Sequence, residues 1–179
     1  MNNRITNQEY KKIAKHYAPA ERFFLQRVGD AVYITDGFSA IKLHVAAYNE
    51  HFRTACPRYV ELNDGDAVTV DKNLNTAQGM QIIIPFNDYF NPRNTIRREY
   101  NGNIKELTNI YTGGRTRKTH LAAVMEAAGL DDLYLNYEWF ITLRPLFGDT
   151  FIAGGDGDAA PVKTEQDEYT GALILPIRK

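Results

Sequence analysis

An α+β fold, with two helices packed on one side of mainly antiparallel sheets, follows from three features of the 179-residue sequence. Two stretches, beginning near Asn7 and near Arg117, carry apolar residues at helical spacing. Most of the remainder alternates apolar with polar residues between Gly- and Asp-containing turns, as antiparallel strands do. The order is helix then strands, and again helix then strands, a pseudo-repeat of roughly 110 residues that is too long for a solenoid.

The first helix is expected from about Asn7 to Tyr17. Thr6 followed by Glu9 makes a capping box, which satisfies N–H groups that the first turn leaves open. Tyr10, Ile13, Ala14 and Tyr17 form one apolar stripe, and Lys11, Lys12 and Lys15 fall on the opposite face. Extended segments follow from Arg22 to Val45, with turns at Gly29-Asp30 and Asp36-Gly37. Further strands are expected around Tyr59–Leu62, Ala67–Val70 and Gln81–Pro85, with a hairpin turn at Asp64-Gly65. Between Phe86 and Thr119, glycine, asparagine and Pro92 break the rhythm, so much of this stretch reads as loop. The second helix is expected from about Arg117 to Ala128, on the stripe Leu121, Val124, Met125 and Ala128, with Gly129 just past its end. Strands at Leu133–Tyr137, Phe140–Leu143, Phe151–Ala153 and Ala172–Ile177 complete the chain. The domain reading is a single unit over 1–179, with a first half of about 1–85, a basic insertion of about 86–118 and a second half of about 119–179.

Composition narrows the functional classes. The net charge of −1 sets up no global field toward a polyanion, so a nucleic-acid surface has to be local. Such an excess exists. From Arg93 to Lys118 there are seven cations against two anions, a local surplus of +5. Together with the first helix this nominates Lys11, Lys12, Lys15, Arg93, Arg97, Arg98, Arg115, Arg117 and Lys118 as a surface that tracks phosphates of duplex DNA without reading bases. Cys56 is the single cysteine, which excludes an internal disulfide and suits a reducing, cytoplasmic setting. The longest aliphatic runs, Ile82–Ile84 and Leu173–Leu175, fall far short of a membrane span.

No catalytic constellation emerges, and the expected class is non-enzymatic, with no cofactor and no metal. Cys56 with His44 or His51 lacks an orienting third group and an oxyanion site. His16, His44, His51 and His120 lack zinc-ligand spacing. Gly154-Gly155-Asp156-Gly157-Asp158 lacks the later carboxylates of a calcium loop, and Gly113-Gly114-Arg115-Thr116-Arg117-Lys118 departs from the phosphate-loop pattern.

Two short stretches carry a resemblance. Val32-Tyr33-Ile34-Thr35-Asp36-Gly37 is similar to the strand–turn segment A-T-D-G-H-R-L of the bacterial DNA sliding clamp, the polymerase III beta subunit. Ala172-Leu173-Ile174-Leu175-Pro176-Ile177-Arg178-Lys179 is similar to that family's closing V-M-P-M-R-L. The run from Leu121 to Phe147, read as helix, acidic turn Gly129-Leu130-Asp131-Asp132 and strand Leu133-Tyr134-Leu135, also resembles the clamp order. The likeness covers Thr6–Val45 and Thr119–Lys179. It implies a DNA-clamp-like domain and a ring of six such domains whose helices face DNA, so a one-domain chain would act as a homo-oligomer. It also implies a groove for partner peptides, which carries over to Thr35, Gly37, Leu175, Pro176 and Ile177. Departures fall within that groove. Phe38-Ser39 stand in place of His-Arg, Leu175 and Ile177 replace two methionines, and Lys179 replaces a leucine. Two functional expectations follow: a DNA-associated clamp-like replication factor, or a protein-interaction module that keeps the fold without DNA.

Overall fold

The computed structural model describes residues 5–79, 97–100, 103–107, 121–125, 133–147, 151–154, 162–163 and 168–175. Helix α1 (Asn7–Tyr17) begins as its sequence dictates. The Glu9 carboxylate accepts the Thr6 N–H at 2.7 Å, and Thr6 Oγ1 accepts the Glu9 N–H at 3.3 Å. Ile13, Ala14 and Tyr17 are fully buried, and Tyr10 packs at the margin of the same cluster. The far end of α1 is held by a residue well removed in sequence. Arg58, only 5% exposed, places Nη2 within 2.7–2.8 Å of the Tyr17, Ala18 and Ala20 carbonyls. A guanidinium there satisfies acceptors that the helix cannot, and it complements the negative end of the helix dipole. Its Cζ also lies 4.6 Å from the Phe23 ring centroid, a cation–π contact.

Three strands follow α1 as a meander: β1 (Arg22–Val28), β2 (Ala31–Thr35) and β3 (Ser39–His44). Helix α2 (Val45–Ala55), β4 (Ala67–Asp71) and β5 (Thr76–Gln78) come next. After them come β6 (Arg97–Tyr100), β7 (Asn103–Leu107), β8 (Leu121–Met125), β9 (Leu133–Asn136), α3 (Tyr137–Phe147), β10 (Phe151–Gly154), β11 (Val162–Lys163) and β12 (Gly171–Ile174). A nine-stranded antiparallel sheet has the order β5-β4-β1-β2-β3-β12-β11-β10-β6, and β7-β8-β9 form a smaller sheet. The large sheet is built twice over. α1 leads into β1-β2-β3 with β4 outside β1, and α3 leads into β10-β11-β12 with β6 outside β10. The two units meet where β3 pairs with β12.

Alternation along the strands sorts the faces. Leu25, Ile34, Ile41 and Ala172 stand in one row across four strands, and Phe23, Val32, Leu43 and Ile174 extend the same face. Against it pack α1, α2 through Tyr48 and Phe52, and α3 through Phe140, Leu143 and Leu146. The opposite face holds the smaller cluster of Ala31, Tyr33, Ala40 and Leu173, flanked by Phe24, Tyr169 and Leu175. The α+β class and the antiparallel sheets with helices on one side agree with the sequence reading.

Several element assignments do not. Leu121–Met125 is a strand, not a helix: β8 pairs with β7 on one side and β9 on the other. Leu121, Val124 and Met125 satisfy helical spacing, but a short apolar run fits either period, and pairing on both edges overrides the helix preference of its alanines. The second repeated helix is α3, which turns the expected strand at Phe140–Leu143 into helix. Asn136 Oδ1 accepts the Trp139 N–H at 3.2 Å and starts it. Pro145 is tolerated because it lies in the last turn, where only one backbone bond is forfeited. Val45 opens α2 instead of continuing β3, since His44 Nδ1 takes the Ala46 N–H at 3.1 Å. Tyr59–Leu62 is extended without a strand partner, held by Tyr48 Oη donating to the Val60 carbonyl at 2.7 Å. The expected strand at Gln81–Pro85, and Ala128 with Gly129, lie outside the described residues.

Arg58→Met keeps most of the stem volume and removes the donor from three carbonyls. The unfolding free energy in urea is expected to drop by about 2–4 kcal/mol. Lys11→Met, on the exposed face of α1, should change it by about 0.5 kcal/mol or less.

Candidate functional site

The β2–β3 turn is fixed by its own side chains. Asp36 Oδ1 accepts the N–H groups of Phe38 (2.9 Å) and Ser39 (2.8 Å), and Thr35 Oγ1 accepts that of Gly37 (3.0 Å) while donating to the Ser39 carbonyl (2.7 Å). Gly37 has φ of +91°, a conformation that strains a residue bearing a Cβ. The outcome is that Phe38 projects outward, 59% exposed, with its ring 5.6 Å from that of Trp139 on α3. The β3–β12 pairing then delivers Leu175, whose N–H donates to the Phe38 carbonyl at 2.9 Å. Thr35, Gly37 and Leu175 therefore share one corner of the molecule. Pro176 and Ile177 lie outside the described residues.

Beneath the turn sits a polar cluster enclosed by apolar groups. Ser39 Oγ lies 3.3 Å from His16 Nε2, 3.2 Å from Tyr17 Oη and 3.2 Å from Asp36 Oδ1. Asp36 Oδ2 lies 3.8 Å from the same His16 nitrogen, and both side chains are under a tenth exposed. Burial holds the His16 imidazole below its ordinary pKa, against an upward pull from Asp36. Burial likewise pushes the Tyr17 phenol well above its ordinary range. Serine, histidine and aspartate in contact invite comparison with a nucleophilic relay, but the geometry is different. A relay spans the ring, with one nitrogen toward the serine and the other toward the carboxylate. Here a single nitrogen faces both, and Ser39 is 1% exposed, closed to a substrate. The cluster is a support for the turn.

The basic candidates are dispersed. Lys11, Lys12 and Lys15 are exposed on α1, opposite its buried stripe. Arg97 and Arg98 belong to β6, the outermost strand of the large sheet, paired with Gly154 and Ala153. β12, β11 and β10 lie between β3 and that strand. Arg93, Arg115, Arg117 and Lys118 fall outside the described residues, and the helix they were expected to precede is replaced by β8. Of the other nominees, Cys56 is buried and its thiol is pushed up by burial, disfavouring the thiolate. His51 stacks on Tyr10 at 4.4 Å, and His44 caps α2. No group of three or more potential metal ligands occurs among the described residues, and none of their helices is long and apolar enough to cross a membrane.

Sequence reasoning singled out the Thr35-Asp36-Gly37 turn but missed its neighbours. Trp139 fell between two expected strands, and His16 was grouped only with unused metal ligands. Its position directly before Tyr17, facing the sheet from the last turn of α1, was the available signal.

No protein-family profile and no curated protein matches the chain. Among solved structures, a DNA polymerase sliding clamp from Bacillus subtilis is similar to it, with a TM-score of 0.42 and 10% sequence identity. That likeness covers 98% of this chain and 63% of the clamp, so the chain spans less than two thirds of that protein's length.

His16 makes stability depend on pH. Its folded-state pKa lies below 6.5, so between the two values the unfolded chain binds more protons. Unfolding free energy should be level above pH 6.5, decline as pH falls below it, and level off under the folded-state pKa. Urea melts across this range check it, and His16→Gln should remove that part of the slope. Glu9, held below 4.5 by its bonds to Thr6, adds a separate loss only at more acidic pH.

Proposed function

We propose that the protein is a non-enzymatic, clamp-like module that associates with duplex DNA and acts as an oligomer. The observation that carries this reading is the face of α1. Ile13, Ala14 and Tyr17 lock the helix onto the sheet, and this leaves Lys11, Lys12 and Lys15 presented together to solvent. Three cations on a rigid helix attract phosphates through charge and counterion release, with no base readout. The doubled helix-plus-meander architecture and the resemblance of the Asp36-Gly37 turn and the Ala172–Leu175 strand to the sliding-clamp family support a topological mode of binding. A single unit of this size does not enclose a duplex, so the reading requires self-association.

Filter binding of duplex DNA at low salt tests it. Retention is expected with a dissociation constant of about 10⁻⁴–10⁻⁶ M, falling steeply as salt rises and independent of sequence. Lys11→Glu, Lys12→Glu and Lys15→Glu together should abolish retention while leaving the circular dichroism spectrum unchanged. No retention by the wild type, or retention that the triple variant preserves, ends the DNA reading. Light scattering should give a mass above that of one chain.

A second reading, a protein-interaction module that keeps this fold, is favoured by the exposed Phe38 beside Leu175 and Trp139. Exposed aromatic rings on a rigid support are the kind of anchor that partner peptides bury. Peptides selected from a random display library on the wild type should lose at least tenfold in affinity for Phe38→Ala and for Leu175→Ala. Equal affinity for all three proteins would remove this corner as a docking site.

A further inference from the structure

We propose that His16 is a pH-responsive latch on the Asp36–Ser39 turn: neutral, it holds Phe38 against Trp139, and protonated, it lets that contact go. In its consequence for docking this rests on the second reading above. The latch itself does not.

The geometry sets the imidazole beside a carboxylate that is too distant for a charge-assisted bond. His16 Nε2 faces Ser39 Oγ at 3.3 Å and Asp36 Oδ2 at 3.8 Å, and the ring lies edge-on to Tyr17 (4.9 Å between centroids) and to Trp139 (5.7 Å). With the ring neutral, Ser39 is the hub of the cluster. The Ser39 hydroxyl faces both Tyr17 Oη and Asp36 Oδ1 at 3.2 Å as a donor, and the imidazole Nε2 faces Ser39 Oγ and the carboxylate. Asp36 Oδ1, which accepts the Ser39 hydroxyl, also holds the Phe38 and Ser39 amides, and Oδ2 is the oxygen toward His16. Protonation adds a charge and a second N–H within an enclosure of aromatic rings. A charge-assisted bond to Asp36 requires about 2.7–2.9 Å, roughly 1 Å closer than the present separation. If the carboxylate moves to make it, Asp36 pulls on the amides of the turn. If instead the imidazolium turns toward water, Trp139 loses its edge contact. Either movement displaces Phe38, since Trp139 touches both rings.

Among the described residues, the other groups around the ring do not offset this. From α1, Tyr17 faces it as a neutral phenol, and Lys12 and Lys15 are exposed. The β2–β3 turn contributes Asp36 and the neutral Ser39. From α3 the facing group is the uncharged Trp139, and Glu138 is exposed. Burial also keeps the neutral ring dominant near neutrality, so the change falls below the ordinary imidazole range.

Trp139 is the single tryptophan of the chain, so its fluorescence reports on this corner alone. Emission of the isolated protein should change in one step below pH 6.5, because an imidazolium quenches an adjacent indole and because Phe38 leaves it. The far-UV circular dichroism should stay constant through that step. His16→Gln should abolish the step. Asp36→Asn should move its midpoint to lower pH, since the group that favours the imidazolium loses its charge, and it serves where the glutamine variant fails to fold. A flat wild-type profile, a step that survives His16→Gln, or a step that coincides with loss of secondary structure overturns the latch. The measurement uses no partner, so it stands or falls apart from the docking reading, which the Phe38 and Leu175 variants decide.

Discussion

The antiparallel pairing of β3 with β12 is the constraint on which the rest of the structure depends. Gly171, Ala172, Leu173 and Ile174 lie opposite Lys42, Ile41, Ala40 and Ser39. Without that seam the nine-stranded sheet would fall into two, each with a new edge strand presenting unpaired backbone groups. With it, Ala172 and Ile174 join the core beneath the helices and Leu173 joins the cluster on the other face. A slip of one residue would exchange those faces and carry Leu173 in place of the smaller Ala172 toward the helices. Ordering so long an intervening chain is entropically costly, and the cost grows only slowly with length. It is offset by burying large side chains from both units against one another.

The same seam builds the corner that has the character of a site. Because Ile174 pairs with Ser39, the next residue meets the turn, and Leu175 bonds to Phe38. Three elements converge there: the end of α1 with His16 and Tyr17, the turn with Asp36 and Phe38, and α3 with Trp139. Asp36 serves the turn amides with one oxygen and faces His16 with the other. Local turn chemistry and long-range packing thus share one carboxylate, which makes the corner both rigid and sensitive to charge. The lysine face of α1 has a different origin. It is what remains once the opposite stripe is buried.

How much of this was legible in the sequence depended on whether the signal was local. The capping box at Thr6 and Glu9, the stripe of α1 and the alternation of β1, β2, β3 and β12 rest on nearest-neighbour chemistry, and each is realised in the structure. The turn at Asp36-Gly37 was equally plain, because few sequences place Asp before Gly without making one. Leu121–Met125 was misread because its five residues suit two periods, and only pairing with β7 and β9 decides between them. α3 was hidden by the strand-like composition of Trp139-Phe140-Ile141-Thr142 and by Pro145. Its buried Phe140, Leu143 and Leu146 were nonetheless at helical spacing, with Asn136 before them as a cap. α2 was hidden by the apolar alternation that runs up to Val45. Arg58 could not be found at all from local pattern, because its partners lie elsewhere in the chain, and His16 was marked only by its place directly before Tyr17.

Native-state hydrogen exchange on the amides of β3 and β12 tests the central claim most directly. If the seam unites two otherwise separate units, the hydrogen-bonded amides of the two strands should open together, with one free energy equal to that of global unfolding by urea. Opening of β12 at a free energy several kcal/mol below that of β3 would contradict the account. It would mean that the first unit is stable alone and that the corner around Phe38 is assembled only part of the time.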